Sequence, residues 1–414
     1  MNFLKDKYIV KIFVLALLIR LIIMPFYFHP DIKTYNFQSS FLKQGVVDIY
    51  SYLITNKEKL PLKDEFVYFP LTYFSLGGYQ IIMQPFLGNN FQLWLGDASQ
   101  NAIDQTGVFR YLFILKLPYL ILDFATAIIL MKLFDDNKKK RAVLTLWLLN
   151  PFSLALIYIF SNIDIFPVFL TVLSLYFSKI NKIMIASLLI GLAAGFKAYP
   201  ILFIPFLFFY AQGLKQKTLV VVPGLIAFFA VIAPFLKSSG FQQATIASGL
   251  TTRIISPTFA IGFSESLIIA MISLGALFFY AFNLENFKFE RLPQFYLAAL
   301  LLIFSSIHFH IQWLLWMIPF IIIIGAIHKR FLASLFVLLT TAIFIPLLYP
   351  DHFMGFSLME PISSYFIPLP TLFQITQRFY DPYAIQSILH SVFLGGSIIL
   401  IVQMFGGEKN ETIE

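Results

Sequence analysis

Long apolar stretches alternate with short polar segments along almost the whole chain. A helix that crosses a bilayer needs about 20 mostly apolar residues, and twelve stretches come close to this length. We therefore predict an all-α, polytopic integral membrane protein with about twelve transmembrane helices. The predicted spans are 8–28, 109–134, 142–160, 164–178, 183–199, 200–212, 218–236, 262–283, 293–309, 311–327, 331–349 and 384–404.

A further apolar stretch, 66–88, contains two prolines and the pair Gly77-Gly78. The basic runs of the chain indicate whether it crosses, because loops rich in Lys and Arg stay on the cytoplasmic side. With twelve spans every such run lies on one side, whereas a thirteenth span would split them. We therefore predict that 66–88 is a re-entrant or surface hairpin packed against protein. The basic runs are Lys5/Lys7, 138–141, Lys179/Lys182, Lys215/Lys217, Lys288/Arg291 and Lys329-Arg330.

This topology places both termini in the cytoplasm and gathers the other polar segments on the outer face. Because no soluble domain or long linker interrupts the pattern, residues 1–414 are expected to form a single polytopic membrane domain. The predicted outer segments are 29–65, 161–164, 237–261, 308–310 and 350–383.

The composition agrees with a membrane protein and excludes several kinds of site. Charged residues make up 12% of the chain, about half of the ~25% found in soluble domains. The net charge of +8 could indicate nucleic-acid binding, but the basic residues are scattered between spans as orientation signals are, so no nucleic-acid partner is expected. The absence of cysteine excludes disulfides and thiolate metal sites. Arg20 interrupts the first apolar run, which favours an uncleaved span over a signal peptide.

Two carboxylates lie where the outer loops would meet lipid headgroups. Asp31 follows the first span in the sequence His29-Pro30-Asp31, and Asp164 lies at the tip between two spans. A carboxylate so close to hydrocarbon is costly, which makes both residues candidates for function. The alternatives are a solvated loop carboxylate for Asp31 and, for Asp164, an interfacial turn or a helix cap made by Asn162 or Asp164.

Charged residues of the opposite sign lie nearby or inside the spans. Lys197 breaks an apolar run at the outer end of its span, where the orientation rules require no cation. Together with Arg253 in another outer loop, it is predicted to bind phosphate, although Lys197 could instead extend to the interface. Arg20 and Asp123 belong to neighbouring spans, so an internal ion pair is predicted.

A polar cluster of His308, His310, Gln312 and Trp313 lies at one outer bend. The two histidines have a spacing that suits a metal on a strand but not on a helix face, so contacts to a sugar or a phosphate are favoured. No Gly-rich phosphate loop is present, because the Gly-Gly pairs lack a following Lys-Ser/Thr. No cofactor is predicted with certainty, and a divalent metal stays possible without support from paired acids.

Several short segments, taken in order, resemble the GT-C glycosyltransferases. Within that superfamily they are most similar to the glycosylphosphatidylinositol first-mannose transferases and their prokaryotic mannosyltransferase relatives. The eukaryotic members carry Asp-x-Asp in the first loop, whereas Lys33 here occupies the second acidic position, which weakens the case for a metal and shifts weight to Asp31. The segments that carry the resemblance are 147–151, 161–164, 195–200, 204–205, 29–33, 68–72, 117–118 with Asp123, 251–253, 256–257 and 312–319.

The resemblance implies a glycosyltransferase that moves a hexose, expected to be mannose, with inversion at the outer face. The donor would be a polyprenyl-phosphate sugar and the acceptor a lipid-linked molecule or a glycan. Residues 8–212 would form the GT-C-like module, with the first outer loop 29–65, and 213–414 would add variable helices. Asp31 would be the general base, and the donor phosphate and sugar would be held by Lys197, Arg253, Asp164, His308, His310, Gln312 and Tyr199.

Two other classes of function stay open. A lipid or glycan flippase or transporter would also be polytopic, but such folds usually show inverted repeats and interrupted helices, and the sequence shows neither. A non-catalytic subunit of a glycan assembly complex is the other alternative. The high usage of Lys, Ile and Phe favours a prokaryotic plasma membrane and a cell-envelope glycan as the setting.

Overall fold

The computed structural model describes residues 6–98, 107–248 and 252–406 of the 414-residue chain. Lys5 and Thr251, which the sequence analysis used, lie outside these ranges. Within them the chain is mostly helical, and its buried apolar side chains form one continuous core.

The first half of the chain folds into helices whose starts are fixed by polar caps. The side chains of Asp6, Asp48, Asp136 and Asn150 accept hydrogen bonds from amides of the following first turn, which satisfies donors that a helix end leaves free. These α-helices are α1 (Lys7–Ile23), α2 (Pro30–Ser40), α3 (Ile49–Asn56), α4 (Pro70–Leu87), α5 (Asn90–Leu95), α6 (Val108–Lys132), α7 (Asn137–Leu148), α8 (Pro151–Leu154), α9 (Ile165–Lys179), α10 (Ile183–Ala194) and α11 (Ile204–Tyr210). Shorter turns of 3-10 or π-helix lie at Phe41–Gln44, Lys57–Lys59, Ala155–Ile159 and Tyr199–Phe203.

The second half adds further helices and two strands. Pro382 begins the last helix behind the capping residue Asp381, a position that suits proline because its missing N–H is not needed there. The elements are α12 (Gly213–Ile232), α13 (Ser239–Phe241), β1 (Thr258–Gly262), β2 (Glu265–Ile268), α14 (Ile269–Phe282), α15 (Arg291–Ser306), α16 (Ile318–Ile327), α17 (Leu332–Leu347), α18 (Leu372–Gln377) and α19 (Pro382–Phe405). Shorter 3-10 or π-helical turns lie at Ala233–Phe235, Gln242–Ile246, Ile311–Trp316, Lys329–Phe331, Phe356–Met359 and Ser364–Phe366.

Four helices of the described residues are long and apolar enough to cross a membrane. They are Val108–Lys132, Gly213–Phe235, Lys329–Leu347 and Pro382–Phe405. The pair Asn137–Leu148 and Pro151–Ile159, bent by 42°, makes a fifth if it is one span. Shorter apolar helices occupy other predicted spans. The structure therefore has four or five candidate spans, and the count of about twelve is not confirmed.

The predicted hairpin at 66–88 is wrong, because this stretch contains the single helix Pro70–Leu87. Gly77 does not make a turn. A Cβ on Gly77 would lie 2.7 Å from both the Leu42 Cβ and the Ser39 carbonyl oxygen, so the glycine lets α4 pack closely on the end of α2.

Helix α4 lies across one end of the helix bundle. Helix α6, the α7–α8 segment, α9 and α10 alternate in direction, so the start of α6 and the end of α10 lie at the same end. The Leu71 amide donates to the Gly195 carbonyl just beyond α10, and Arg110 in the first turn of α6 donates to the Leu87 carbonyl. Both ends of α4 are thus held at that end, and α4 does not run through the bundle.

The all-α class is wrong at one place, because β1 and β2 form a small antiparallel sheet. The predicted span 262–283 is divided between this hairpin and α14. Apolar content alone predicted the span, and a short hairpin with a similar composition cannot be distinguished from a helix in that way.

The predicted internal ion pair is confirmed. Arg20 Nε lies 2.6 Å from Asp123 Oδ2, and both side chains are fully buried. Tyr158 also donates to Asp123 Oδ2 and Trp147 to Oδ1, while Arg20 Nη1 donates to the Leu148 carbonyl. The network therefore joins α1, α6 and the bent segment that begins with α7.

Candidate functional site

Asp31 lies in the first turn of α2, where a helix favours a negative charge. Pro30 is the first residue of this helix, a position that suits proline because its missing N–H is not needed there. The His29 Nδ1 atom accepts a hydrogen bond from the Asp31 amide at 3.3 Å. The Asp31 side chain is 28% exposed, which leaves the carboxylate accessible.

Three neighbours hold the Asp31 carboxylate. The Gln312 amide donates to Oδ2, the Tyr35 hydroxyl is hydrogen-bonded to the carboxylate, and His29 Nδ1 lies 3.6 Å from Oδ2. Burial raises the pKa of Asp31, but the nearby His29 and the hydrogen bonds lower it below its usual value. The carboxylate is therefore ionised at neutral pH and is able to accept a proton.

Asp164 and Lys197 form a close ion pair beside this carboxylate. Lys197 Nζ lies 3.1 Å from Asp164 Oδ1 and 2.9 Å from Oδ2, and Trp316 Nε1 donates to Oδ2 at 2.8 Å. Tyr199 stacks on Trp316, with ring centroids 4.0 Å apart. Asp164 is 1% exposed, so the ammonium compensates a buried negative charge.

Aromatic rings enclose the Lys197 ammonium. Its Nζ lies 5.0 Å from the ring centroids of Tyr68 and Trp316 and 5.6 Å from that of Trp313, distances at which a ring face attracts a cation. Lys197 is thus not a free cation. Its predicted role at a donor phosphate stays a prediction.

The turn before α9 connects the ion pair to Gln312. The side-chain amide of Asn162 donates to the backbone carbonyl of Gln312 at 2.7 Å, and its side-chain oxygen accepts from the backbone amide of Asp164 at 2.9 Å. Asn162 therefore makes a local turn, which was one alternative, whereas the Asp164 side chain does not cap α9. Through Asn162 and Gln312, Asp164 and Asp31 belong to one polar network.

A second connection runs through two tyrosines. The Tyr68 hydroxyl donates to the Tyr35 hydroxyl at 3.1 Å, and Tyr35 in turn contacts Asp31. The Tyr68 ring also faces Lys197. Tyr35 and Tyr68 therefore form a second connection between Asp31 and the Lys197–Asp164 pair.

His310 lies close to both charged groups. Its electrostatic neighbours include Asp31 and Lys197, and burial lowers the pKa of His310 to about 4. The ring is therefore neutral at neutral pH. Its Nδ1 atom and the Tyr119 hydroxyl are buried and have no hydrogen-bond partner within 6–98, 107–248 and 252–406.

His308 and Arg253 lie in a neighbouring group. The His308 ring stacks on Tyr349 with centroids 4.4 Å apart. Burial lowers the pKa of His308, and the charge of the nearby Arg253 lowers it further. Arg253 Nη1 is buried with no hydrogen-bond partner in the described part of the chain. A cavity of about 350 Å³ is lined here by His308, Ile345, Tyr349, Tyr383, Gln386, Ser387 and His390.

Metal ligands are not grouped in the described residues, where no three His, Asp or Glu side chains are placed to hold an ion. Lys33, at the position that is acidic in the resembling family, is buried with its Nζ 3.8 Å from Asp97 Oδ2. The first loop therefore supplies the ammonium of Lys33, paired with Asp97, where the resembling family has its second carboxylate.

Sequence reasoning missed several residues of the network. Tyr35 lies four residues after Asp31, a spacing that brings side chains together on a helix, so its contact could have been found once α2 was recognised. Tyr68 and Trp316 lie in segments quoted only for their resemblance, and no local signal marks their contacts with Lys197.

Two yeast mannosyltransferases match part of this chain. GPI mannosyltransferase 1 of Candida albicans is 28% identical over 115 residues, which are 27% of this chain and 29% of that protein. GPI mannosyltransferase 1 of Kluyveromyces lactis is 31% identical over 91 residues, or 21% and 22% of the two chains. The matches thus span less than a third of either relative. No family model matches the chain.

This partial similarity relates the chain distantly to membrane mannosyltransferases. It does not extend to the donor, the acceptor or the GT-C superfamily as such. Both relatives are yeast proteins, so the prokaryotic plasma membrane stays a prediction.

Proposed function

We propose that this chain is a membrane mannosyltransferase that transfers mannose from a polyprenyl-phosphate donor to a lipid-linked or glycan acceptor at the outer face. The observation that carries the proposal is the ionised, accessible Asp31 carboxylate, held in place by Gln312 and Tyr35. The partial similarity to two mannosyltransferases supports the choice of sugar.

In the proposed reaction, an acceptor hydroxyl oxygen bonds to the anomeric carbon of the sugar while the bond from that carbon to the phosphate oxygen breaks. The hydroxyl proton goes to Asp31 as general base, and the polyprenyl phosphate leaves with the bonding electrons. Attack from the side opposite the phosphate inverts the anomeric carbon. Gln312 orients the carboxylate, because its amide donates to only one of the two oxygens.

Arg253 is the best-placed cation for the leaving phosphate. Its Nη1 is buried without a partner in the described chain, and a guanidinium aimed at a developing charge stabilises the transition state. His308 next to it and the neutral His310 would hydrogen-bond the phosphate or the sugar. Arg253 therefore takes the main phosphate role in this proposal.

The Lys197–Asp164 pair would frame the site. The pair holds Asp164, whose backbone amide bonds to the Asn162 side chain. It thereby fixes the turn at Asn162 and, through it, the backbone of Gln312. Tyr199 supports the pair by stacking on Trp316. A polar group of the sugar could still reach the 19% of the Lys197 side chain that is exposed.

The test uses the purified full chain in liposomes that contain labelled polyprenyl-phosphate mannose and a lipid extract as acceptor. The expected result is a new labelled glycolipid, with much less product from the matching glucose donor. Label that crosses the bilayer on an unchanged donor would favour a flippase. The absence of any product would favour a non-catalytic subunit.

A further inference from the structure

The β1–β2 hairpin is poorly packed against the rest of the protein, since all five residues of β1 are exposed. Its strands contain one charged residue, Glu265, and otherwise apolar or small side chains. An exposed apolar element of this kind is costly in water and usually marks a contact surface.

One face of the hairpin carries two large, exposed apolar side chains. Phe259 is paired directly with Leu267 across the strands, so both side chains lie on the same face. The opposite face carries the pairs Ala260–Ser266 and Thr258–Ile268. Ile261 lies at an irregularity of the pairing between Ala260 and Gly262, and its side chain is exposed beside the turn. The hairpin is therefore two-sided, and Phe259 is 66% exposed on the apolar side.

The turn adds another exposed ring. Phe263 has a φ of 43°, a left-handed conformation that glycine or asparagine adopts at lower cost. Its side chain is fully exposed. Neither backbone preference nor packing within the protein accounts for a phenylalanine there, whereas an apolar surface outside the protein does.

The hairpin continues directly into an apolar helix. Helix α14 begins at Ile269 and exposes Met271, Ile272 and Phe279. Its 14 residues span only about 21 Å, less than the ~30 Å hydrocarbon core. A hairpin that leads directly into so short an apolar helix is placed to reach the boundary of the membrane in which the helix would lie.

The outer edges of the hairpin limit its depth. A two-stranded sheet leaves one edge of each strand without a partner strand, and open edges are not tolerated in hydrocarbon, where nothing else pairs with the backbone. An interfacial element instead buries its apolar side chains at the level between headgroups and acyl chains. The hairpin has open edges, which keep it out of the hydrocarbon core, and exposed apolar side chains, which suit the level between headgroups and acyl chains.

We propose that the exposed apolar side chains of the hairpin, Phe259 and Leu267 on one face with Ile261 and Phe263 at the turn, form a membrane-interface anchor that inserts into the lipid surface. Ser266 faces the aqueous side. Arg253 lies five residues before β1, so the anchor would hold this guanidinium at headgroup depth. That consequence rests on the proposed function, whereas the anchor itself does not.

The test places a tryptophan on each face of the hairpin in the full chain, Phe259→Trp and Ser266→Trp, in phosphatidylcholine nanodiscs. The emission of the native Trp94, Trp147, Trp313 and Trp316 is subtracted with the unmodified protein. We expect lipids brominated high on the acyl chain to quench the tryptophan of Phe259→Trp more than lipids brominated deep on the chain. Aqueous acrylamide should quench the tryptophan of Ser266→Trp more strongly.

Two results would overturn the anchor. One is equal or stronger acrylamide quenching of Phe259→Trp than of Ser266→Trp. The other is protection of Phe259→Trp that appears in detergent only at high protein concentration, which would assign the face to a second copy of the chain. Because the readout needs no turnover, failure of the anchor and failure of the proposed activity are distinguishable.

Discussion

The side-chain amide of Gln312 donates a hydrogen bond to the carboxylate of Asp31, 281 positions away in the sequence. This contact joins the first turn of α2 to the 3-10 turn at Ile311–Trp316. The candidate base and its partner therefore come from opposite sides of the predicted division at residue 212. The C-terminal helices, predicted as a variable addition, contribute directly to the site.

The Tyr35→Phe variant should shift the pH dependence of transfer. The hydrogen bond from Tyr35 helps lower the pKa of Asp31, so its loss raises that pKa and protonates the base at a higher pH. The acid limb of kcat/KM should move to higher pH, while the rate at alkaline pH changes less. Tyr73→Phe, which loses a hydrogen bond to the Val46 carbonyl in the same region, is the control. An acid limb at the same pH as in the parent would show that Tyr35 does not affect the pKa of the Asp31 base.

The Lys197→Met variant should lose stability, because it leaves Asp164 buried without its cation. Adding Asp164→Asn should restore part of the loss, with a coupling free energy of about 0.5–3 kcal/mol. The measurement is thermal unfolding of the two single variants and the double variant in detergent. Additive effects would show that Lys197 acts independently of Asp164, as a pure phosphate ligand would.

The Asp123→Leu variant should be more damaging to the fold than the double change Arg20→Met with Asp123→Leu. Removing one partner leaves a buried charge without compensation at a cost of about 3–5 kcal/mol, whereas removing both leaves no uncompensated charge and only the weaker, neutral donors of Tyr158 and Trp147. The free energy of unfolding in a denaturant series checks the order. If the double variant is the less stable, the network around Tyr158 and Trp147 depends on the charges themselves.

The Arg253→Gln variant should lower kcat/KM for the donor by about 10- to 100-fold, since Arg253 is proposed to stabilise the leaving phosphate and a hydrogen bond to a charged group contributes about 1.5–3 kcal/mol. The exposed Arg330, changed to Gln, is the matched control. Kinetics with varied donor and saturating acceptor separate KM from kcat. A change in acceptor KM alone would show that Arg253 contacts the acceptor and not the donor phosphate.

The ion pair inside the protein could be predicted from the sequence, because a charge within a span needs a partner and Arg20 and Asp123 lie in neighbouring spans. Asp31, Asp164, Lys197 and Gln312, which the sequence analysis placed in one cluster, belong to one hydrogen-bonded network, whereas its place on the outer face stays a prediction. These successes depend on local charge in an apolar background, which is a strong signal.

Other features depend on contacts that the sequence does not show. Gly77 lies in the stretch that was predicted to form a hairpin, but it serves close packing between α4 and α2. The hairpin from 258 to 268 shares its composition with the neighbouring helix α14. The pairing of Lys197 with Asp164 was missed because each charge was considered alone, and only the packing of α9 against α10 brings them together.

The most direct test of the central claim compares Asp31→Asn with Asp64→Asn, an exposed carboxylate of the same first loop. Both variants are reconstituted with labelled polyprenyl-phosphate mannose, and the initial rate of glycolipid formation is measured beside the melting temperature. Loss of a general base is expected to reduce turnover about 10²–10⁴-fold in Asp31→Asn, with melting close to that of the parent and Asp64→Asn fully active. Full turnover by Asp31→Asn would contradict the account.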